Sequence, residues 1–190
     1  MQVYSTESPG LLVLEPRVFQ DERGFFLESY SRETFSRVGI DCEFVQDNHA
    51  YSRDVCVLRG FHFQLPPHAQ AKLVWVTRGA VLDVVVDLRK GSPTFGKCQH
   101  VILSAANFKR MFIPRGFGHA YVTIMPDTEF LYKVDAPYRP DHECGLAWND
   151  PDIGFDWSPA LDGRMPVLSE KDRRLGFLAE FDSPFTHEEN

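Results

Sequence analysis

Several segments of the sequence carry side chains whose types fit proton transfer. Residues 57–64 (VLRGFHFQ) place His62 on a predicted strand, and Lys72 stands at the head of the next one. The segment IPRGFGHAY contributes His119, and EFLYKVD contributes Tyr132. Histidine can remove a proton near neutral pH, tyrosine can return one, and an ammonium beside a carbonyl oxygen stabilises an enolate. This set is typical of an epimerase or isomerase that acts on a carbon next to a ketone.

The strand that carries His62 also carries Arg59, and only an irregular strand brings the two together. Strict alternation would send them to opposite faces, because their positions differ in parity. Gly60 lies between them and is a natural site for a β-bulge, which would bring both side chains to one face. A surface arginine with a hydrogen-bonded core histidine is the alternative interpretation, and this segment alone leaves both open.

A metal centre is the alternative chemistry for the two histidines. The pattern PxGxxH that ends at His119 resembles the second motif of the cupin jelly rolls, in which a histidine faces a metal-binding pair on another strand. Here, however, His62 is followed by Phe and Gln where the first cupin motif has a second histidine, and His68 follows two prolines in a predicted loop. A metal needs three or four converging ligands. We therefore expect a cupin-like architecture without a metal, with a metal-dependent cupin oxygenase as the alternative.

These residues lie on a run of short predicted strands. Between Lys72 and Asp135, β-type runs of about six residues alternate with Gly and Pro turn signals, a pattern typical of a meander of strands. Residues 25–30 and 55–64 also favour extended structure, and the DERG segment at 21–24 predicts a turn before the first of them.

Helical signals are few. Residues 31–38 predict a short helix capped by Ser31, and residues 169–181 predict a second one because Ser169 and Asp172 have the spacing of a capping box. The aromatic content of 13% favours packed sheets. The sequence therefore predicts a single domain over residues 1–190, all-β, a cupin-like double-sheet jelly roll with a few short helices.

Charge and composition exclude several classes of protein. The formal net charge is -7 and the basic residues are scattered, which disfavours a nucleic-acid partner or an anionic membrane surface. The first ten residues lack the features of a signal peptide, no apolar run is long enough to span a bilayer, and the four cysteines form no CxxC pair. We expect a cytoplasmic protein with no nucleic-acid or membrane partner.

The motifs, taken in order, resemble one family, the dTDP-4-dehydrorhamnose 3,5-epimerases. This resemblance implies a cupin-like jelly roll, usually a homodimer, that needs no cofactor or metal and inverts C3 and C5 of a 4-keto-6-deoxyhexose attached to dTDP. The resemblance runs over most of the chain and rests on DERGFFLESY (21–30), FVQDN (44–48), VLRGFHFQ (57–64), KLVWVTRG (72–79), VVVDLRKGSPTFG (84–96), IPRGFGHAY (113–121), EFLYKVDAPYRP (129–140) and LSEKD (168–172).

The resemblance implies a role for each matching residue. His62 would be the general base, Asp172 the carboxylate that orients it, and Tyr132 the acid on the opposite face of the sugar. Lys72 would stabilise the enolate at the C4 oxygen. Arg59 would bind the diphosphate, since a guanidinium fork matches phosphate oxygens.

The other residues that the resemblance assigns would bind the nucleotide and sugar. Tyr138 would stack on the thymine. Arg23 and Glu28 would come from the partner subunit of a homodimer, so that dimerisation completes the site. The remaining pocket residues would be Gln46, Asn48, His119, Glu143 and Lys171.

Two features leave alternatives open. Asp172 fits a local capping role with Ser169 as well as a pairing with His62, and one carboxylate is not expected to do both easily. Family members often have Leu in place of Phe61 and Gly-Phe in place of Ala120 and Tyr121, so the carbon that is epimerised stays open. The alternatives are a C3-only or C5-only epimerase, a ketoisomerase of a related deoxysugar pathway, and a catalytically inert sugar-nucleotide binder.

Overall fold

The computed structural model describes residues 1–187, and strands dominate it. Alternating apolar and polar residues form short strands that Gly and Pro turns interrupt. The strands are β1 (Gln2–Ser5), β2 (Leu12–Glu15), β3 (Val18–Asp21), β4 (Gly24–Leu27), β5 (Gln46–Ser52), β6 (Leu58–Gln64), β7 (Lys72–Arg78), β8 (Ala80–Asp87), β9 (Cys98–Ser104), β10 (Arg110–Ile113), β11 (Phe117–Thr123), β12 (Thr128–Val134) and β13 (Glu143–Leu146).

Most strands belong to two antiparallel sheets that pack face to face. The larger sheet has the order β1-β2-β10-β7-β12-β5, and the smaller one has the order β13-β6-β11-β8-β9. This arrangement confirms the predicted all-β double-sheet jelly roll with short helices at its margins. The strands predicted between Lys72 and Asp135 are all present as β7 to β12.

The prediction that these strands form a meander is wrong. Among β7 to β12, β8 and β9 are the only consecutive strands that pair with each other; β7, β10 and β12 lie in the larger sheet, and β11 lies in the smaller one. The chain therefore crosses between the sheets after most strands. Hydrophobic alternation indicates where a strand lies but not which strand it pairs with, because the pairing depends on contacts distant in sequence.

Three apolar clusters stabilise this arrangement, and the middle one lies between the sheets. It includes Val74 and Phe130 from the larger sheet and Val85 and Tyr121 from the smaller one. A second cluster covers the outer face of the smaller sheet with C-terminal segments, and a third packs helix α1 (Arg32–Ser36) on the larger sheet. Toward one end of the middle cluster, polar side chains take the place of apolar ones, and there the candidate site opens.

The two predicted helices have different outcomes. Helix α1 (Arg32–Ser36) confirms the first, with the Ser31 hydroxyl accepting from the Thr34 N–H. The predicted helix over residues 169–181 is wrong, because the segment forms only 3₁₀ turns at Asp172–Arg174 and Leu178–Glu180. A bridge from Gly176 to Leu146 of the smaller sheet extends the backbone between these turns, so a tertiary contact overrides the local helical signal.

The turn predicted at DERG is present as the tip of a separate hairpin. Within residues 1–187, strands β3 and β4 pair only with each other, and their aromatic residues are unusually open to solvent. Phe19 is 50% exposed, Phe25 is 59% exposed and Phe26 is 70% exposed. None of the helices in residues 1–187 has the length and apolar character needed to cross a membrane.

Candidate active site

A cavity of about 180 Å³ opens between the two sheets. Both sheets contribute polar side chains to it, set among aromatic rings. It brings together seven of the residues that the sequence singled out. Its lining is Ala50, Arg59, His62, Phe63, Gln64, Gln70, Lys72, His119, Tyr121, Phe130, Tyr132, Tyr138 and Glu143.

A bulge in β6 brings Arg59 and His62 to the same wall of the cavity. His62 pairs with His119 on β11, whereas Arg59 pairs with Tyr121, so three steps along β6 oppose two steps along β11. The extra residue in β6 turns the Arg59 and His62 side chains to the same face of the sheet. The predicted bulge near Gly60 is therefore confirmed. Phe61, in the bulge, is fully buried on the opposite face.

His62 is held from behind by Asp172. The His62 Nε2 donates to Asp172 Oδ1 at 2.7 Å, and the Gly60 N–H donates to the same oxygen at 3.1 Å. Burial alone would raise the pKa of Asp172, but the hydrogen bonds from His62, Ser169 and Gly60 outweigh it and hold the pKa well below its usual range. The carboxylate is therefore ionised, and a neutral His62 ring bound through Nε2 keeps its lone pair on Nδ1.

Asp172 also keeps its local contact with Ser169. The Ser169 hydroxyl donates to Asp172 Oδ2 and accepts from the Asp172 N–H at 3.1 Å. The expectation that one carboxylate could not easily serve both partners is wrong, since its two oxygens face different groups. The contact with Ser169 fixes the carboxylate that in turn fixes His62.

Lys72 enters the cavity from the opposite sheet. Its Nζ crosses between the sheets and donates to the His62 carbonyl oxygen at 3.3 Å. Burial lowers the pKa of Lys72 to about 8, against the opposing charges of Asp83 and Glu143. The side chain thus keeps an ammonium near neutral pH with few partners, as a group that stabilises a developing anion requires.

Asp83 is a residue of this site that the sequence analysis missed. It is fully buried, and His119 Nε2 donates to its two oxygens, each at 3.0 Å. Burial raises the pKa of Asp83, and the charges of His119 and Lys72 oppose that effect. A single acid inside the apolar run AVLDVVV was the available signal, because an aspartate is almost never fully buried without a partner.

Tyr132 faces His62 across the cavity. It lies on β12 of the larger sheet, whereas His62 lies on β6 of the smaller sheet. Burial raises the pKa of Tyr132, and the charge of Arg59 opposes this rise only in part. The phenol therefore keeps its proton at neutral pH, and the two candidate proton-transfer groups stand on opposite walls.

The open end of the cavity has a network of polar side chains. The Tyr138 hydroxyl donates to Glu143 Oε2 at 2.6 Å, and Lys171 forms an ion pair with the same carboxylate. Gln46 accepts from the Tyr138 N–H at 3.1 Å and donates to Asn48 at 2.9 Å. Gln46, Asn48 and Lys171 thus reach the cavity through Tyr138 and Glu143 rather than by lining it.

Arg23 and Glu28 lie away from the cavity of their own chain. Arg23 is at the tip of the β3–β4 hairpin, where it pairs with Asp21 and its side chain is 85% exposed. Glu28 accepts from the Thr34 hydroxyl at 2.8 Å.

The side chains considered as metal ligands already contact other protein groups. His62 and His119 each point Nε2 at a carboxylate, and the Gln64 amide bonds the main chain of His68 and Arg139. His68 lies against the ring of His142, with centroids 4.5 Å apart. Within residues 1–187, no group of three or more His, Cys, Asp or Glu side chains is placed to hold a metal ion.

Comparisons with known proteins agree with this geometry. The chain is 48% identical over 181 residues to dTDP-4-dehydrorhamnose 3,5-epimerase of Escherichia coli K12, covering 95% of this chain and 96% of that one. A Legionella pneumophila dTDP-6-deoxy-D-glucose-3,5-epimerase in complex with dTDP-4-keto-L-rhamnose superposes with a TM-score of 0.92, at 38% identity and 99% coverage of both chains.

A Bacillus anthracis dTDP-4-dehydrorhamnose 3,5-epimerase with TDP and PPi bound gives a TM-score of 0.89 at 45% identity, covering 93% of this chain and 99% of that one. These neighbours support the cupin-like form of the jelly roll. The family model described as dTDP-4-dehydrorhamnose 3,5-epimerase matches residues 5–180. The chain therefore belongs to the dTDP-4-dehydrorhamnose 3,5-epimerase family, whose members are isomerases.

Proposed function

We propose that the protein epimerises C3 and C5 of dTDP-4-dehydro-6-deoxy-D-glucose to give dTDP-4-dehydro-L-rhamnose. The observation that carries this proposal is the placement of His62 and Tyr132 on opposite walls, with the Lys72 ammonium on the cavity between the sheets. Inversion at a carbon requires that a proton leave one face and return to the other. A base and an acid on opposing walls meet that requirement.

Each inversion is a proton exchange through an enolate. The His62 Nδ1 lone pair takes the proton from the carbon next to the C4 ketone, and the electrons of the broken C–H bond move toward the C4 oxygen. The Lys72 ammonium stabilises the negative charge on that oxygen. The Tyr132 hydroxyl then protonates the same carbon from the other face, and solvent restores both side chains before the second carbon reacts.

Asp172 acts through His62 rather than on the sugar. Its carboxylate fixes the Nε2–H form of the ring and stabilises the imidazolium after proton removal. The Gly145 backbone packs on the same side of the ring as Asp172, since a Cβ built on Gly145 would lie 3.2 Å from His62 Cδ2. The Cδ2–Nε2 edge of the ring therefore faces protein, and this leaves the Nδ1–Cε1 edge for the substrate.

The remaining residues bind the nucleotide. Arg59 holds the diphosphate, and Tyr138 stacks on the thymine at the open end. The pocket around them is made by His119, Glu143 and Lys171, with Gln46 and Asn48 behind Tyr138. The anionic substrate thus meets a locally positive pocket inside an acidic protein, which is compatible with the net charge of -7.

The active form is proposed to be a homodimer in which Arg23 and Glu28 of each subunit complete the site of the other. Two observations support it. The β3–β4 hairpin pairs with no other strand in the described part of the chain, and its three phenylalanines are 50 to 70% exposed. Arg23 stands at the tip of this hairpin, remote from the cavity of its own chain. A second copy that covers the hairpin would bury these rings and carry Arg23 to a neighbouring pocket.

Proton NMR of the 4-keto sugar nucleotide in D₂O tests the reaction. Loss of both the C3 and C5 proton signals, with formation of the L-configured product, supports the proposal. Exchange at only one of these carbons identifies a C3-only or C5-only epimerase, and migration of the ketone identifies a ketoisomerase. Binding without any exchange by the wild-type protein would show an inert sugar-nucleotide binder. Activity that depends on stoichiometric metal would support the oxygenase alternative.

A further inference from the structure

Tyr121 has a buried hydroxyl whose proton finds no acceptor in the fold. The side chain is 5% exposed and lines the cavity. Its ring stacks on Phe130, with centroids 4.2 Å apart and planes at 14°. Among the described residues its hydroxyl proton has no acceptor, since the nearby Arg59 guanidinium can only donate to the Oη. A buried hydroxyl left unpaired costs free energy, so its retention calls for an explanation.

The acceptor nearest in the sheet register is already engaged. Tyr121 on β11 pairs with Asp83 on β8, but both Asp83 oxygens accept from His119. On the other side Tyr121 pairs with Arg59, and a guanidinium has no acceptor atom. The Tyr121 proton therefore has no acceptor among the protein groups that flank it.

The position of Tyr121 shows which part of a ligand would supply that acceptor. Two successive rungs join β6 to β11: His62 faces His119, and Arg59 faces Tyr121. The His62–His119 rung holds the proposed base and therefore lies beside the sugar. The Arg59–Tyr121 rung then lies beside the diphosphate, which Arg59 is proposed to bind. Arg59 is exposed and lines the cavity beside Tyr121, so its guanidinium can turn toward an anion bound there.

The Tyr121 hydroxyl is also a donor over the whole working range of pH. Burial raises the pKa of Tyr121 to about 12, and the charge of Arg59 and a hydrogen bond from its guanidinium oppose only part of that rise. The group thus stays protonated beside an arginine, which is the state that binds a phosphate oxygen.

We propose that Tyr121 is a substrate-binding residue whose hydroxyl donates a hydrogen bond to a phosphate oxygen of the sugar nucleotide, next to Arg59. The inference rests on the proposed function, because it takes a nucleoside diphosphate sugar as the ligand. It adds a binding group at a position where the family resemblance leads one to expect phenylalanine. The contact holds the diphosphate and does not act on the reacting carbon, so it affects binding more than turnover.

Titration calorimetry with dTDP and with thymidine tests this inference on Tyr121→Phe, which removes only the hydroxyl. A hydrogen bond to a charged group implies that the variant binds dTDP ~10-fold or more weakly, while its affinity for thymidine is unchanged. KM for the sugar nucleotide should rise by a similar factor, with kcat within about twofold of wild type. Tyr51→Phe is the matched control, since its hydroxyl bonds Asp127 outside the cavity.

Thermal unfolding separates this contact from a structural role. Because the hydroxyl proton has no acceptor in the free protein, Tyr121→Phe should melt at or above the wild-type temperature, and only the dTDP-induced rise in Tm should shrink. Unchanged dTDP affinity, or a free protein that melts several degrees lower, overturns the inference. If wild type binds dTDP and epimerises while Tyr121→Phe matches it, the inference alone fails. If wild type does not bind dTDP, the proposed function fails first.

Discussion

His62 and Asp172 are joined by a 2.7 Å hydrogen bond across 110 residues of sequence. The accepting oxygen also receives the backbone N–H of Gly60, the residue of the bulge that brings His62 to the cavity. One carboxylate oxygen therefore fixes both the strand irregularity and the ring that depends on it. The orientation of the proposed base and the local backbone are coupled, so we expect a substitution of Asp172 to lower both activity and stability.

Asp172→Asn should lower kcat by ~10²-fold or more, because the amide cannot stabilise the imidazolium formed on proton removal. It should also alter acid stability. The pKa of Asp172 is lowered in the folded protein, so its ionised form stabilises the fold fully above about pH 4, and this contribution fades as the pH falls toward the lowered value. Thermal melts of both proteins from pH 7 to pH 3 measure the difference.

The gap in Tm between wild type and Asp172→Asn should be widest near neutrality and narrow below about pH 4. Asp162→Asn is a matched control, because its side chain is 84% exposed and forms only a loose 3.5 Å pair with Arg164. A gap that stays constant with pH would show that the charge of Asp172 does not stabilise the fold.

We expect kcat/KM to decrease at alkaline pH because Lys72 loses its proton. Since the pKa of Lys72 is about 8 in the folded protein, the ammonium proposed to stabilise the enolate is lost above that pH, and kcat/KM should fall. Lys72→Met should lose ~10²-fold in kcat and should lack this limb in its residual rate. An identical alkaline limb in both proteins would assign it to another group.

The lowered pKa of Lys72 also makes stability rise with pH, as that of Asp172 does, but in an alkaline window. An unfolded lysine titrates near about 10.4, so between about pH 8 and that value the unfolded chain binds more protons than the folded one. The stability of wild type relative to Lys72→Met should therefore rise with pH across this window. Differential melts at pH 7.5 and pH 9.5 check the direction.

The strands and the bulge could be predicted from the sequence because each leaves a local trace. Alternating apolar residues mark β7 to β12, and the parity mismatch around Gly60 marks the irregularity. The sheet order has no such trace, since it depends on pairings between distant segments. Only the family resemblance predicts the pairing of Asp172 with His62. The sequence spacing of Ser169 and Asp172 is already explained by a local capping contact.

The error at residues 169–181 has the same origin. Leu178 and Phe181 have the spacing of an apolar helical face, and both pack against the smaller sheet. They do so from separate 3₁₀ turns, because Gly176 forms a bridge to Leu146 and the Leu178 N–H donates to Asp150. The apolar spacing indicates which side chains are buried. The backbone conformation, however, is set by the tertiary contacts of Gly176 and Leu178.

Tyr132→Phe should separate proton exchange from inversion. His62 would still remove a proton and could return solvent deuterium to the same face, whereas no acid would remain on the opposite wall. We expect deuterium incorporation without formation of the inverted product, and ~10²-fold or slower epimerisation. His62→Asn, in contrast, should lose both. A Tyr132→Phe variant that inverts at the wild-type rate would exclude Tyr132 as the acid.

A mixture of two weakened variants should test the shared site. In a dimer of His62→Asn with Arg23→Ala, one site carries both defects and the other carries neither, provided that Arg23 serves the partner subunit. Equal mixing with subunit exchange should then restore about a quarter of wild-type activity at low substrate concentration. If Arg23 served its own chain, each site would keep one defect and mixing would restore nothing. Arg37→Ala, whose side chain pairs only with Glu33, is the control for loss of surface charge.

Gly145→Ala should disturb the base without touching any ionisable group. A Cβ at Gly145 would lie 2.8 Å from the Phe61 carbonyl oxygen and 3.2 Å from His62 Cδ2, so the β6–β13 pair must shift and the imidazole must turn away from its present edge. Overpacking of this kind costs about 1–3 kcal/mol of stability. We expect kcat to fall ~10-fold or more because the Nδ1 lone pair changes direction.

Gly176→Ala is the matched control, since the nearest neighbour of its new Cβ would be the flexible Glu180 carboxylate at 3.9 Å. Melting curves and kcat of the two variants decide the matter: equal behaviour would show that the close approach of Gly145 does not position His62.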